Sequence, residues 1–129
     1  MIRLVVDASV LIDNVRGIAA AKLLMVAALA RGDEIWSSYV IRTEVLAGMR
    51  SEEAQRTHQL LQAISWAGVD AVESDAAGEL GRRYLRSHPG IGTPDLLLAE
   101  LAQRLGAELV TMNVKHFPMF PELKRPYTY

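Results

Sequence analysis

Short apolar runs alternate with longer stretches of helical period along this chain, and the alternation predicts its elements. Leu4-Val5-Val6 is apolar without interruption and stops at Asp7, as a strand buried on both faces would. A short helix capped by Ser9 follows to about residue 15, where Gly17 breaks it. Residues 18–31 are Ala-rich and apolar on nearly every face. That pattern predicts a helix covered on one side by the sheet and on the other by a second element or subunit. Glu34-Ile35-Trp36 reads as a second strand, and Ser38 caps a helix over residues 39 to about 49. Ser51 with Glu52 and Glu53 opens a helix that ends near Gly68, its acids favoured by the positive helix start. Residues 69–72 form a weak third strand, and Ser74 caps a helix ended by His88-Pro89-Gly90. Thr93-Pro94-Asp95 reads as a cap, a proline at the first helical position and an acid in the first turn. That helix stops at Gly106, and Leu109-Val110-Thr111 is the last strand before an aromatic, proline-containing tail.

Strands alternating with helices imply an α/β fold: a three-layer α/β/α sandwich with a mostly parallel central sheet and right-handed crossovers. No linker, repeat or low-complexity tract interrupts it, so residues 1–129 are expected to form one domain. Ligands of such sheets bind beyond the carboxyl ends of the strands, where the strand order reverses. Asp7 and Asn113 both follow strand ends and are candidates for that crevice.

Composition narrows the chemistry. Lys and Arg number 14 against 15 Asp and Glu, a net charge of −1, so any nucleic-acid contact has to come from a local patch. Cysteine is absent, which removes disulfides, thiolate catalysis and Cys-bound zinc. The first residues lack the pattern of a signal peptide, and residues 18–30 fall short of the ~20 needed to cross a bilayer. A cytoplasmic protein without membrane contact is expected.

Three carboxylates stand in places that local structure explains poorly. Asp7 ends a buried strand, although an Asx turn leading into Ser9 would also use it. Glu44 has Val40 and Ile41 behind it and Ala47 and Gly48 ahead on one helical face, where a carboxylate needs a cation or donors. Asp95 faces Leu98, Ala99 and Ala102, and the helix dipole favours an acid there without explaining its apolar side. Two carboxylates ~4 Å apart at an effective dielectric of ~20 repel by about 4 kcal/mol, so three in one crevice call for protons or a divalent cation. With no cysteine and the histidines His58, His88 and His116 scattered along the chain, the ligands are oxygens, which suit Mg²⁺ or Mn²⁺. Carboxylates holding such an ion in an open crevice are suited to phosphodiester hydrolysis.

Four segments carry a resemblance: Val5-Val6-Asp7-Ala8-Ser9-Val10-Leu11, Arg42-Thr43-Glu44-Val45-Leu46-Ala47-Gly48, Thr93-Pro94-Asp95-Leu96-Leu97-Leu98-Ala99 and Thr111-Met112-Asn113-Val114-Lys115-His116-Phe117. In this order and spacing the chain resembles the PIN domain, and within it the VapC-type toxins of toxin–antitoxin pairs. The resemblance runs from residue 2 to about 118. It implies a Mg²⁺-dependent endoribonuclease, homodimeric, and inhibited by a small VapB-like antitoxin whose tail enters the site. By motif position Asp7, Glu44 and Asp95 match the acidic metal ligands. Asn113 matches a fourth position that is Asp in many members, and Ser9 and Thr111 match hydroxyl positions beside the metal.

Other residues have weaker claims. Arg82, Arg83 and Arg86 flank Tyr84 and suit either a phosphate-binding stripe with a stacking ring or an ordinary solvated helix. Lys115 and His116 suit contact with the RNA backbone or a plain loop surface. Asp13 lies one turn beyond Ser9, within reach of the site or simply solvated. Phe117, Met119, Phe120, Tyr127 and Tyr129 are expected to pack the tail onto the domain, and the helix over residues 18–30 to supply dimer or antitoxin contacts. Two other functions fit parts of the pattern: a catalytically silent RNA- or protein-binding module on the same scaffold, and a phosphoacceptor receiver-type domain.

Overall fold

The apolar run at the start forms β1 (Arg3–Val6), with Leu4, Val5 and Val6 all buried. A computed structural model describes residues 1 to 129 in full. After β1 come α1 (Ala8–Val15), α2 (Ala19–Ala30), β2 (Glu34–Ser38), α3 (Tyr39–Ala47), α4 (Ala54–Gln62), β3 (Ser65–Ala67), α5 (Ala71–Tyr84), α6 (Thr93–Leu105) and β4 (Glu108–Val110). Short 3-10 turns occupy Ser51–Glu53 and Val114–His116. No helix is long and apolar enough to cross a membrane.

All four strands are parallel, in the order β3-β2-β1-β4. The chain steps outward from β1 to β2 to β3, then returns to add β4 on the far side of β1. Right-handed crossovers therefore place α1 to α4 on one face and α5 and α6 on the other. Contacts agree: α6 packs on α5, β1, β2 and β4, while α2 and α3 pack on β2. The result is the three-layer sandwich expected from the alternation. Its direction of winding reverses at β1, so the crevice lies above the carboxyl ends of β1 and β4.

α6 is buried without a break from Leu96 to Ala102, because the sheet covers one side of it and α5 another. Glu100 in that run is paired with Arg104 at 2.7 Å. α2 behaves differently. Ala21, Met25 and Ala28 are buried, but Leu23, Val26 and Leu29 point outward, so only one of its two apolar faces is covered within the chain.

Several helix starts lie upstream of the residues that predict them. Asp7, not Ser9, caps α1 by accepting the Ala8 N–H at 2.8 Å. Asp70, not Ser74, caps α5, so Val72 is helical and exposed. β3 accordingly precedes residues 69–72, where Ser65–Ala67 pair with Trp36, Ser37 and Ser38. The helix expected to run on to Gly68 ends as α4 at Gln62. Gly92 is the cap of α6, one residue before Thr93, and Asp95 returns its carboxylate to the Gly92 N–H at 2.9 Å. Each capping acid outcompetes the hydroxyl downstream, since a carboxylate accepts an amide hydrogen bond more strongly. Ser38 caps α3 as expected, accepting the Ile41 N–H.

Candidate active site

Asp7 is fixed from both sides of the switch point. Its backbone N–H donates to the Val110 carbonyl at 2.9 Å, tying the end of β1 to the end of β4. Nearby, Ser37 Oγ donates to the Val6 carbonyl at 2.7 Å from the β2 side. The carboxylate is 4% exposed. Asp7 Oδ1 accepts the Ala8 N–H, and Oδ2 accepts Thr111 Oγ1 at 2.6 Å and Ser9 Oγ at 3.4 Å. These two hydroxyls in turn accept the N–H groups of Asn113 and Met112, so the loop after β4 is stitched to the acid. Burial pushes the Asp7 carboxyl up, the hydrogen bonds from Thr111 and Ala8 oppose it, and the Asp95 charge adds to the rise.

Asp95 stands in the first turn of α6 with its side chain 15% exposed. Its Oδ2 takes the Gly92 N–H and lies 3.2 Å from His116 Nδ1, which leaves Oδ1 without a protein partner. Glu44 sits on α3 at the rim. The sequence pattern suggests burial, but Ile41 and Val45 take the core side of the helix and leave Glu44 exposed. It has no ion-pair partner. Partial desolvation first, then the charges of Asp7 and Asp95, push its carboxyl up, so Glu44 feels both other acids. Asn113 is exposed, with its backbone held by Thr111 and its side chain unbonded.

These donors suit a hard cation. They are oxygens, they repel one another, and no lysine or arginine neutralises them. No group of three or more His, Asp or Glu side chains converges tightly enough to hold an ion directly. A hydrated divalent ion that keeps several waters uses only one or two carboxylates. Asp7 and the free Oδ1 of Asp95 are the carboxylates available, with Glu44 and Asn113 at the water-facing side.

The histidines are less scattered than the sequence implies. His88 from the loop after α5 and His116 line one open pocket of about 320 Å³ with Gly90, Ile91 and Lys115, directly beside Asp95. His88 carries no local sequence signal, because only the return of the chain after β4 brings His116 to it. His58 lies apart, exposed on α4. The arginine stripe divides: Arg82 is paired with Glu79 at 2.8 Å, Arg83 and Arg86 are exposed, and Tyr84 is partly buried against the core. Asp13 neither reaches the acids nor stands in solvent alone. It accepts the hydroxyls of Tyr127 and Tyr129 at 2.7 and 2.8 Å and fastens the tail to α1. Phe117 is buried, and Met119, Phe120 and Tyr127 pack against the core, whereas Tyr129 is mostly exposed.

Comparison with known proteins places this geometry. The family model of the PIN domain matches residues 4–120. The chain is 39% identical to ribonuclease VapC19 of Mycobacterium tuberculosis over 122 residues, covering 95% of this chain and 98% of that protein. It is also 39% identical to ribonuclease VapC10 of the same organism over 124 residues, 96% of this chain and 92% of that one. Among solved structures, a toxin–antitoxin complex from Klebsiella pneumoniae superposes with a TM-score of 0.75 at 25% identity, over 98% of this chain and 99% of that chain.

Proposed function

From the premise that the chain belongs to the PIN-domain family, we propose that it is an endoribonuclease toxin, hydrolysing RNA phosphodiester bonds at the crevice of Asp7, Glu44 and Asp95. The observation that carries this reading is the set of three acids near the switch point of the sheet that no lysine or arginine pairs with, His116 beside Asp95 being their one basic neighbour. The relatives' names as ribonucleases support it, and the receiver-type reading gives way to the family match. The whole chain is read as one such domain, the tail after residue 120 included, because Tyr127 packs on its core.

Asp7, oriented by Thr111 and Ser9, and Asp95, with Glu44 at the rim, would hold Mg²⁺ or Mn²⁺, which would supply the positive charge needed beside the phosphate and polarise it. Glu44, exposed at the rim, is the acid placed to hold and orient the attacking water and to take its proton. Attack at phosphorus and departure of the 3′ oxygen leave 5′-phosphate and 3′-hydroxyl ends. Asn113 contributes an uncharged oxygen on the open side. Lys115, with His88 and His116 behind it, faces the RNA backbone beside Asp95. Arg83 and Arg86 are free to add weak backbone contacts.

Such activity in the cytoplasm needs a silencer. The reading includes a small antitoxin that places an Arg or Lys against the acids. The outward Leu23, Val26 and Leu29 of α2, beside an open groove of about 370 Å³ that α2 forms with α4, offer it an apolar seat. A homodimer is part of the same reading. The test is expression of wild type and Asp7→Asn in a bacterial host, scored for growth arrest and mapped RNA cuts. Arrest and cuts with wild type alone are expected; arrest by both forms, or cuts by neither, contradicts the reading.

A further inference from the structure

Tyr39 is the first residue of α3, directly after the carboxyl end of β2. Its ring lies nearly parallel to that of Trp66, at an interplanar angle of 27° with centroids 6.2 Å apart. Trp66 belongs to β3 and pairs with Ser37 in the sheet, so both rings stand at the same end of the sheet as Asp7. The Trp66 indole N–H donates to the Leu61 carbonyl at 3.0 Å, which fixes the plane of the ring. Arg42, one turn along α3, places Cζ 5.2 Å from the Trp66 centroid.

Packing alone does not account for this cluster. Tyr39 is 53% exposed, whereas a ring recruited to the core, such as Phe117, is covered. Arg16, Arg31, Arg82 and Arg104 each meet a carboxylate, but Arg42 takes part in none of the chain's ion pairs. A half-exposed ring beside a guanidinium that rests on Trp66 but meets no carboxylate has the features by which single-stranded RNA is held: bases stack on rings and on arginine planes, and phosphates meet the charge. The cluster is also placed for it. Tyr39, Thr43, Glu44 and Ala47 are all exposed on α3, while Ile41 and Val45 face the core. Glu44 lies five positions beyond Tyr39, about 7.5 Å of rise and about 140° of rotation, so ring and acid stand on different sides of the exposed surface of the helix. A strand whose phosphate lies at the acids and that continues around this surface brings a base to the ring a few nucleotides away.

We propose that Tyr39, Trp66 and Arg42 form a stacking platform for one unpaired base of the RNA, a few nucleotides from the bond that is cut. It rests on the RNA-cleaving reading above. The base stacks on the open face of Tyr39, Trp66 backs that ring, and Arg42 meets the adjoining phosphate. Stacking reads ring area more than hydrogen bonds, so purines are preferred at this position.

The test is binding of the full chain, in EDTA to prevent cutting, to a short fluorescent oligoadenylate and to an abasic ribose-phosphate oligomer of the same length. Tyr39→Ala is expected to weaken oligoadenylate binding about ten- to a hundredfold and to leave the abasic oligomer unaffected. Tyr39→Phe keeps the ring and is expected to bind as wild type does. Arg42→Ala is expected to weaken binding of both oligomers and to flatten the salt dependence. Wild-type affinity in Tyr39→Ala, equal loss on both oligomers, or a change confined to the oligomeric state by light scattering overturns the platform. If cutting persists with Mg²⁺ restored while Tyr39→Ala has no effect on binding, the platform alone falls. If wild type binds neither oligomer and cuts no RNA, the RNA-cleaving reading falls first and the platform with it.

Discussion

The two ends of the sheet treat buried carboxylates in opposite ways. At the amino end, Asp33 has a side chain 4% exposed, accepts the Ile2 N–H at 3.1 Å and is paired with Arg31 at 3.0 Å. Its carboxyl is held below the usual value, by the Ile2 hydrogen bond first and Arg31 after it. Glu34 beside it meets Arg3. At the carboxyl end, Asp7 is also covered and has a comparable set of donors, but it lies deeper in the protein, no arginine stands beside it, and burial above all pushes its carboxyl up. Glu53 and Glu100, elsewhere in the chain, are likewise paired with arginines, Arg16 and Arg104. Arginine is therefore available to this chain and meets its buried structural acids, while the less buried Asp13 and Asp70 are held by hydroxyl and amide donors instead. Its absence around Asp7, Glu44 and Asp95 leaves a charge deficit, which in the proposed function an external cation would fill.

Breaking the comparison at the carboxyl end has the largest expected effect. Asp7→Asn is expected to lower the rate of RNA cleavage by at least ~100-fold while the chain stays folded, since the ion's several kcal/mol of transition-state stabilisation is lost. Cleavage by the purified variant, with circular dichroism as the fold control, checks this. Asp33→Asn should do the reverse: lower the thermal midpoint and leave cleavage per folded molecule intact. The pH dependence separates the two further. Asp33 is held below its usual value of 3.8, so its contribution to stability is present above that value and is lost as pH falls through and below it. Asp7 is raised above 3.8, so the folded wild type binds the proton more tightly and loses stability as pH rises through the window above that value. Denaturation across pH, without divalent metal, should show Asp7→Asn gaining on wild type as pH rises, and Asp33→Asn losing its deficit in acid. The smallest effect is at Asn113. Asn113→Asp is expected to lower the Mg²⁺ concentration for half-maximal cleavage, and Asn113→Ala to raise it with a smaller loss than Asp7→Asn. A Mg²⁺ titration of the three forms checks both, and an Asn113→Ala variant equal to wild type leaves Asn113 as a turn residue.

Much of this contrast is legible in the sequence, because its carriers are local. The β-branched run ending in Asp7, the Ser38 cap and the proline-marked start of α6 with Asp95 one turn in all rest on neighbours within a few residues. What the sequence conceals depends on distant partners. β3 has three residues and no β-branched one, so only pairing with β2 defines it. Glu44 shares apolar neighbours with a buried face, but the direction in which α3 is rolled, set by Ile41 and Val45 against the core, puts it outside. His88 meets the loop at His116 only through the topology that returns β4 to β1. Tyr39 and Trp66 are likewise unremarkable until β2 and β3 lie side by side.

The central claim is that the acids at the carboxyl end of the sheet are left short of positive charge so that a divalent cation can supply it. The most direct measurement is the thermal midpoint of wild type and Asp7→Asn as Mg²⁺ or Mn²⁺ is titrated, with no RNA present. An ion that binds the folded chain alone raises its midpoint progressively with concentration. The account predicts that wild type starts no higher than the variant without metal and climbs with added metal, while Asp7→Asn stays nearly flat. Equal gains in both forms, or a wild type that does not respond, would contradict it.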